Sequence, residues 1–233
     1  MLHKLADLRK EFGTLDAVLW MVNSAFRLFG ARLPIIKYYF VAQPVPGESP
    51  LPPHRGRSVE VRRMERGDPA LADLPLTGDV LRFRFGQNAI CFGAFQDGAV
   101  VGCLWLCLGR YDEDEVRCTF VLRPEGKTAW DFDVYVRPEA RGGFAFMRLW
   151  DEANAYLRGL GVDWSLSRIS AFNPGSLGAH GNLGARRIAS ALFLRIGFVQ
   201  LMLSAFRPFV HFSVSPRQVP RLTLTAPPPD PSG

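Results

Sequence analysis

Three titratable side chains and two glycine-bearing turns carry the chemistry this sequence can do. The first stretch runs Asp131-Phe132-Asp133-Val134-Tyr135-Val136-Arg137-Pro138-Glu139-Ala140-Arg141-Gly142-Gly143-Phe144-Ala145. It reads as a strand ending at Val136, followed by a turn that opens a helix near Phe144. Free amides at a helix start attract phosphate. Gly142 and Gly143 let the backbone approach a ligand closely, and Arg141 adds charge. The plain alternative is an ordinary strand-to-helix turn, many of which contain glycine. The second stretch is Asn173-Pro174-Gly175-Ser176, then His180, then Leu183-Gly184-Ala185. It is expected where the next parallel strand ends. Ligands of open α/β sheets bind off the carboxyl ends of strands, so the two stretches are expected to converge on one crevice. An imidazole such as that of His180 is a candidate acid, since free imidazole titrates near neutral pH. A lone histidine on a short helix is also commonly a surface or capping residue. Asp131 and Asp133 are two apart and are expected on one face of their strand. Their structural alternative is a hydrogen bond or ion pair, with Arg168 as the partner at hand.

The elements that must position these residues follow from periodicity. Thr14 is placed to cap a helix over Leu15 to Phe29, stopped by Gly30. Pro34 to Val41 follows, apolar and aromatic. Residues 1–45 thus form an N-terminal helical and apolar segment. It either packs on the main domain or serves as a membrane-surface or partner-binding element. Trp20, Phe26, Arg27, Arg32, Lys37 and Tyr38 are the residue types of the latter, within a contact region of 15–41. Residues 46–57 form a linker, within a proline-rich run that begins at Pro44.

The main domain spans 58–213. Strands are predicted over Ser58–Arg63, Ala89–Phe95, Val100–Leu108, Val116–Leu122 and Ala129–Val136, with an Asp97-Gly98 hairpin turn. An amphipathic helix over Phe144–Gly159, a strand over Trp164–Phe172 and a short helix over Ser176–Leu183 come next. Late strands are expected over Arg187–Ile196 and Phe198–Phe206, and a further helix over Ala70–Phe85. Residues 214–233 form a proline-rich tail whose end should be disordered. The order implies an α/β (α+β) fold. Its sheet is mixed, with a parallel βαβ crossover built from Ala129–Val136, the long helix and Trp164–Phe172.

Composition narrows the function classes. The chain has 233 residues, 48% hydrophobic and 21% charged, which suits a globular protein with a sizeable core. Cys91, Cys103, Cys107 and Cys118 sit in apolar strand-like surroundings with no histidine pair at ligand spacing. They read as buried free thiols, with no metal site, which suits a reducing cytoplasm. The start runs into charged residues where an apolar signal region would stand. No apolar run reaches the ~20 residues of a membrane span. The net charge of +6 fits a protein that binds a polyanionic nucleotide cofactor or rests near anionic lipid. No arginine-rich tract or aromatic stacking module points to nucleic acid. Asp112-Glu113-Asp114-Glu115 reads as a solvated charge run at a hairpin tip.

Together the two stretches resemble the GNAT superfamily of acetyltransferases. That family's coenzyme motif reads strand, V-x-P-x-x-R-G-x-G-x-G/A, helix. Val136, Pro138, Arg141 and Gly142 match it in register. Phe144 and Phe146 stand where glycine is usual, with Gly143 adjacent. The second motif has Asn, a small residue three on, Tyr seven on, and Gly-Phe eleven and twelve on. Here those offsets give Asn173, Ser176, His180, Gly184 and Ala185. The resemblance covers residues 58–206. It implies a mostly antiparallel sheet around the parallel βαβ unit, and acyl transfer from acetyl-CoA, or another acyl-CoA, to an amine. It further implies that backbone at Val134 and Val136 orients the thioester. Amides from Arg141 through Gly142, Gly143, Phe144 and Ala145 to Phe146 would hold the pyrophosphate, with Asn173 and Ser176 along the pantetheine. The reaction moves two protons. His180 is the candidate acid for the leaving thiolate. Asp133 or Asp131 is the candidate base or cation-binding group for the acceptor. Two further readings stand beside this one. One is a non-catalytic module of the same fold that binds coenzyme A or a protein. The other is a peripheral membrane protein docked through its N-terminal segment.

Overall fold

The structure is a computed structural model that describes residues 14–28, 35–52 and 54–228. The expected helix stop at Gly30, Arg32 and the last five residues of the tail lie outside the described residues. In chain order the elements are α1 (Thr14–Leu28), β1 (Ile35–Pro44), β2 (Glu60–Met64), a 3₁₀ turn (Pro69–Asp73), α2 (Gly78–Gly86), β3 (Ile90–Gln96), β4 (Ala99–Leu108), β5 (Arg110–Asp112), β6 (Thr119–Arg123), β7 (Thr128–Val136), a second 3₁₀ turn (Pro138–Ala140), α3 (Ala145–Gly159), β8 (Trp164–Ser170), α4 (Pro174–Asn182), β9 (Arg186–Ile196), β10 (Val199–Ser204), β11 (Val210–Ser213) and β12 (Arg221–Thr225). They fall into two compact units. The first takes the described parts of 1–43, 112–121 and 167–227, and the second those of 44–111, 122–166 and 228.

The second unit holds β2, β3, β4 and β7 as antiparallel neighbours. The start of β8 runs parallel to β7, with Thr128 opposite Trp164. Asp97 and Gly98 join β3 to β4 with φ of 52° and 79°, the left-handed pair that an Asp-Gly hairpin turn supplies. α3 links β7 to β8 and buries Leu149, Trp150, Ala153 and Leu157 completely, at the spacing of one helix face. Gly102 lets these layers close. A Cβ there would stand 2.6 Å from the Tyr135 carbonyl oxygen of β7 and 3.4 Å from Leu149 of α3. Residues two apart share a face, so Leu106 points to the α3 side with Gly102, while Trp105 points to the other. On that other side Phe85 of α2 meets Trp105 edge-on, 5.2 Å between ring centres.

The helix expected over Ala70–Phe85 is divided in two. Pro75 ends the first 3₁₀ turn, and Thr77 opens α2 by accepting from the Val80 amide at 3.4 Å. The proline-rich run is anchored along its length. Val45 donates to the Asp163 carbonyl at 2.9 Å, Arg158 donates to the Pro46 carbonyl at 3.0 Å, and Leu51 is buried.

In the first unit β1 lies between the end of β8 and β9, followed by β10 and β11. The Ala171 amide donates to the Lys37 carbonyl at 2.8 Å, and β1 pairs antiparallel with β9 from Ile35 opposite Leu194. Residues 35–41 are therefore a sheet strand. Tyr38, Phe40 and Val41 are buried, with Tyr38 against Phe193 and Phe40 against Phe120. Their apolar character goes into the core and is not offered to a membrane or partner. α1 packs on the opposite face of β1. Asp16 accepts from Lys37 and from the Tyr39 hydroxyl, and Asn23 brackets both backbone groups of Ile35.

The acidic run is solvated only in part: Asp114 and Glu115 are exposed, and Glu113 is not. The Glu113 side chain is fully buried, and Arg168 donates to both of its oxygens, at 2.7 and 3.2 Å. The Arg168 guanidinium lies 4.7 Å from the Tyr38 ring centre, and the Tyr38 hydroxyl donates to Glu115 at 2.5 Å. A half-buried cation pairs with the carboxylate inside the fold, and adjacency in sequence gave no sign of it. All four cysteines are free and buried. No described helix is long and apolar enough to cross a membrane.

Candidate active site

The site of the second unit starts from an irregularity in β7. Phe132 pairs with Trp105 and Tyr135 pairs with Cys103, so Asp133 and Val134 together stand opposite Leu104. This is a β-bulge, and Asp133 takes a left-handed φ of 50°. Aspartate tolerates that region better than most side chains. The bulge turns the Asp133 carboxylate to the face of Phe132. There it accepts from Arg84 Nη1 of α2 at 2.5 Å. Arg84 is nearly buried, with its guanidinium 5.1 Å from the Trp105 ring centre and 5.2 Å from that of Phe132. Asp133 keeps 38% of its side chain exposed, so it is held but reachable.

Asp131 has a different environment. It lies opposite Leu106 and shares its face, the α3 side, where it is buried and accepts from the Ser165 hydroxyl at 2.5 Å. The two aspartates expected on one face are thus on opposite faces, because the extra residue at the bulge breaks the two-residue alternation. Arg168, the partner expected from sequence, is engaged by Glu113.

Beyond the bulge the strand presents amides on one edge. Parallel pairing with β8 covers Thr128, Ala129 and Trp130 among the described residues. The Arg137 amide donates to Val101 of β4 at 2.8 Å, so alternation turns the amides of Val134 and Val136 away from β4. The Val136 carbonyl accepts from Arg141 Nε at 3.1 Å, which ties the arginine to the strand end.

A second 3₁₀ turn follows, with Arg141 extended and Gly142 at a φ of 83°. Phe144 is the first cap residue of α3 and supplies no side-chain hydrogen bond. The first backbone bond of the helix runs from Arg148 N to Phe144 O at 2.8 Å. The amides of Ala145, Phe146 and Met147 therefore have no acceptor inside the helix and point out of its positive end. Phe146 sits edge-on to Trp150, 6.5 Å between ring centres, so its bulk lies along the helix flank.

Sequence reasoning missed Arg55 and Gly56 at this helix end. Gly56 has a φ of 68°, and a Cβ there would meet Phe144 Cβ and Arg148 Cγ at 2.9 Å. Arg55 stands 6.0 Å from the Phe144 ring centre. The available signal was a glycine between two arginines at the end of a proline-rich run, and it carried no register. In the same unit a cleft of about 470 Å³ lies between the first 3₁₀ turn and α2, lined by Leu71, Leu76, Leu81, Phe85, Arg66 and Arg82 among others.

The second motif belongs to the first unit. Asn173 caps α4, its Oδ1 accepting from the Ser176 amide at 3.1 Å, so the Asn-x-x-Ser spacing serves a helix start. His180 is buried, contrary to the surface position usual for a lone histidine on a short helix. Its Nδ1 lies 3.2 Å from Oε1 of Gln43, which is itself buried at the end of β1. An amide oxygen only accepts, so Nδ1–H is the donor in this contact. Gly184 closes the helix at a φ of 81°. Among the described residues no cluster of histidine, cysteine and carboxylate side chains is placed to hold a metal ion.

Neither a protein-family model nor a curated protein sequence matches this chain. Solved structures do match in fold. A tandem GNAT protein from the clavulanic acid biosynthesis pathway superposes with a TM-score of 0.51 at 15% identity, over 73% of this chain and 56% of that one. A GNAT-family acetyltransferase described as putative from Novosphingobium aromaticivorans gives 0.47 at 18% identity, over 67% of this chain and 62% of its own. A GCN5-related N-acetyltransferase from Kribbella flavida gives 0.47 at 14% identity, over 73% and 62%. The chain thus spans 56 to 62% of the length of these proteins. With its mostly antiparallel strands, one parallel βαβ connection and a bulged strand before the Gly142–Gly143 turn, the chain has the GNAT acetyltransferase fold.

Proposed function

We propose that this protein moves an acyl group from acyl-coenzyme A, in the first instance acetyl-CoA, directly to an amine. The observation that carries the reading is the run from the Asp133–Val134 bulge to the uncapped start of α3. It offers outward amides at Val134 and Val136, then Arg141, Gly142 and Gly143, then the free amides of Ala145, Phe146 and Met147. Such a run suits a long ligand with polar groups along one side and a pyrophosphate at its end. AcCoA is the ligand named for the tandem GNAT structure, which was solved without it.

In this reading the amine nitrogen attacks the thioester carbonyl carbon, and the C–S bond breaks to release the coenzyme thiolate. A strand amide turned toward the carbonyl oxygen stabilises the charge that builds there. Asp133, paired with Arg84, takes the proton of the attacking ammonium or holds the cationic acceptor in place. Asp131, buried under α3, has a structural role. The acceptor reaches Asp133 from the α2 side, where the cleft and the Phe85–Trp105 pair lie. His180, Asn173 and Ser176 enter by their sequence offsets. His180 protonates the thiolate, and the other two line the pantetheine.

The test is twofold. Coenzyme A binding is measured by calorimetry, and thiol release from acetyl-CoA is followed across a panel of amines. Binding with amine-dependent thiol release supports the reading. Binding with no release from any amine supports instead a non-catalytic coenzyme-binding module, which Phe144 and Phe146 in glycine positions favour.

A further inference from the structure

From Trp164 to Pro229 the sequence contains no aspartate or glutamate and seven arginines. That segment alone exceeds the net charge of +6 of the whole chain. In the first unit it also builds a sheet face that no other described element covers over β10 and β11. Two cross-strand rows run Leu194–Leu201–Phe212 and Leu192–Leu203–Val210 over β9, β10 and β11. The other face of the same strands carries Phe193, Gln200, Met202 and Ser213, all buried. On the open face Val210 is 61% exposed and Phe212 60%, and Phe198 and Phe209 at the adjoining turns are 61% and 55% exposed. A contiguous apolar surface of this kind marks an interaction site.

Its rim is basic. Arg187 is exposed and lies over the Tyr39 ring, 3.3 Å from its centre, on the same side of the sheet as those rows, next to α1. Arg207 stands 6.0 Å from the Phe209 ring, and Arg217 is exposed beyond β11. Of the described acids of this unit, Asp16 on this side is buried and taken up by Lys37 and the Tyr39 hydroxyl. Glu113, Asp114 and Glu115 gather around Arg168, and Glu115 bonds Tyr38, on the reverse side of β1 from Tyr39. An apolar centre with an arginine rim is the composition that inserts into headgroups while attracting anionic lipid. A second copy of the chain would set these arginines against one another. The aliphatic rows offer no stacking platform of the kind single-stranded nucleic acid uses.

We infer that the β9–β11 face docks the protein on anionic phospholipid bilayers. The inference is independent of the acyl-transfer reading and lies on a different surface from the N-terminal segment. The full chain is floated with vesicles of phosphatidylcholine alone, or with about 30% phosphatidylserine, in low and high salt. Binding is expected to the anionic vesicles and to fall at least about tenfold with neutral lipid or high salt. Phe209→Ser with Phe212→Ser, and separately Arg207→Glu with Arg217→Glu, should each weaken it about tenfold. Their thermal unfolding should match the parent, because all four side chains are exposed. If one pair fails to fold, the other decides. No binding to anionic vesicles overturns the inference, as does binding that both pairs leave unchanged. A solution dimer that Phe212→Ser splits also overturns it, by assigning the face to a second copy.

Discussion

Arg84 Nη1 donates to Asp133 Oδ2 at 2.5 Å, and the carboxylate reaches it because Asp133 adopts a φ of 50° at a two-for-one bulge. The backbone irregularity and the ion pair support each other. The pair holds an aspartate in a conformation it adopts at some cost, and the bulge brings the charge to the side of Trp105 and Phe132.

Asp133→Asn separates the roles of shape and charge. Asparagine accepts the left-handed backbone, so the bulge persists while the carboxylate is lost. Turnover should fall about a hundredfold or more with coenzyme A affinity unchanged. Stability should fall by about 1–2 kcal/mol, because Arg84 loses a charged acceptor. Turnover at the parental rate would remove Asp133 from the reaction and leave it a structural ion pair.

The proposed phosphate site at the Arg141–Gly143 turn is tested by two changes of different kind. Gly142→Ala meets no atom within 4 Å, so its cost is the positive φ alone, about 1 kcal/mol. Arg141→Glu reverses charge at the strand end. Calorimetry should show coenzyme A binding weakened at least about tenfold by Arg141→Glu and more modestly by Gly142→Ala. An unchanged dissociation constant for Arg141→Glu would discredit the site.

Gly56→Ala combines a φ of 68° with a Cβ 2.9 Å from Phe144 and Arg148. Denaturant unfolding should show a loss of about 2 kcal/mol or more. A melt identical to the parent would mean that the 54–58 loop does not press on α3.

His180→Phe should lower turnover and spare coenzyme binding. Gln43→Leu removes the acceptor that orients the imidazole, so it should lower turnover in the same direction while sparing coenzyme binding. Unchanged turnover in His180→Phe removes the imidazole from the mechanism.

Arg168→Met leaves Glu113 buried without its cation. Burial pushes the Glu113 carboxyl above its ordinary value of 4.5, and Arg168 pulls it back down. A carboxyl raised in the folded state contributes its stability below its unfolded value and loses it as pH rises through the folded one. The variant raises the folded value further. Its stability deficit should therefore grow from pH 5 to pH 8, reaching about 3–5 kcal/mol. Urea titrations giving an equal deficit at both pH values would contradict this account.

The two-residue and 3.6-residue periods located β2, β3, β4, β7, α3, β8, β9 and β10 to within a few residues, because each has one buried face that its apolar residues must mark. The Asp97-Gly98 turn and the Gly142–Gly143 turn were legible for a local reason, since their φ values admit few residue types. The sequence by itself determined, through these signals, the βαβ core and the glycine turn before α3. Tertiary structure alone decided the rest. β1 reads as an apolar segment, and only pairing with β9 and β8 makes it a sheet strand. The Asp133 bulge leaves no mark in an alternating pattern, so opposite faces for Asp131 and Asp133 were invisible. Glu113 and Arg168 are 55 residues apart, as Arg84 and Asp133 are 49 apart. Spacing of that kind has no period, and only the packed chain brings such charges together.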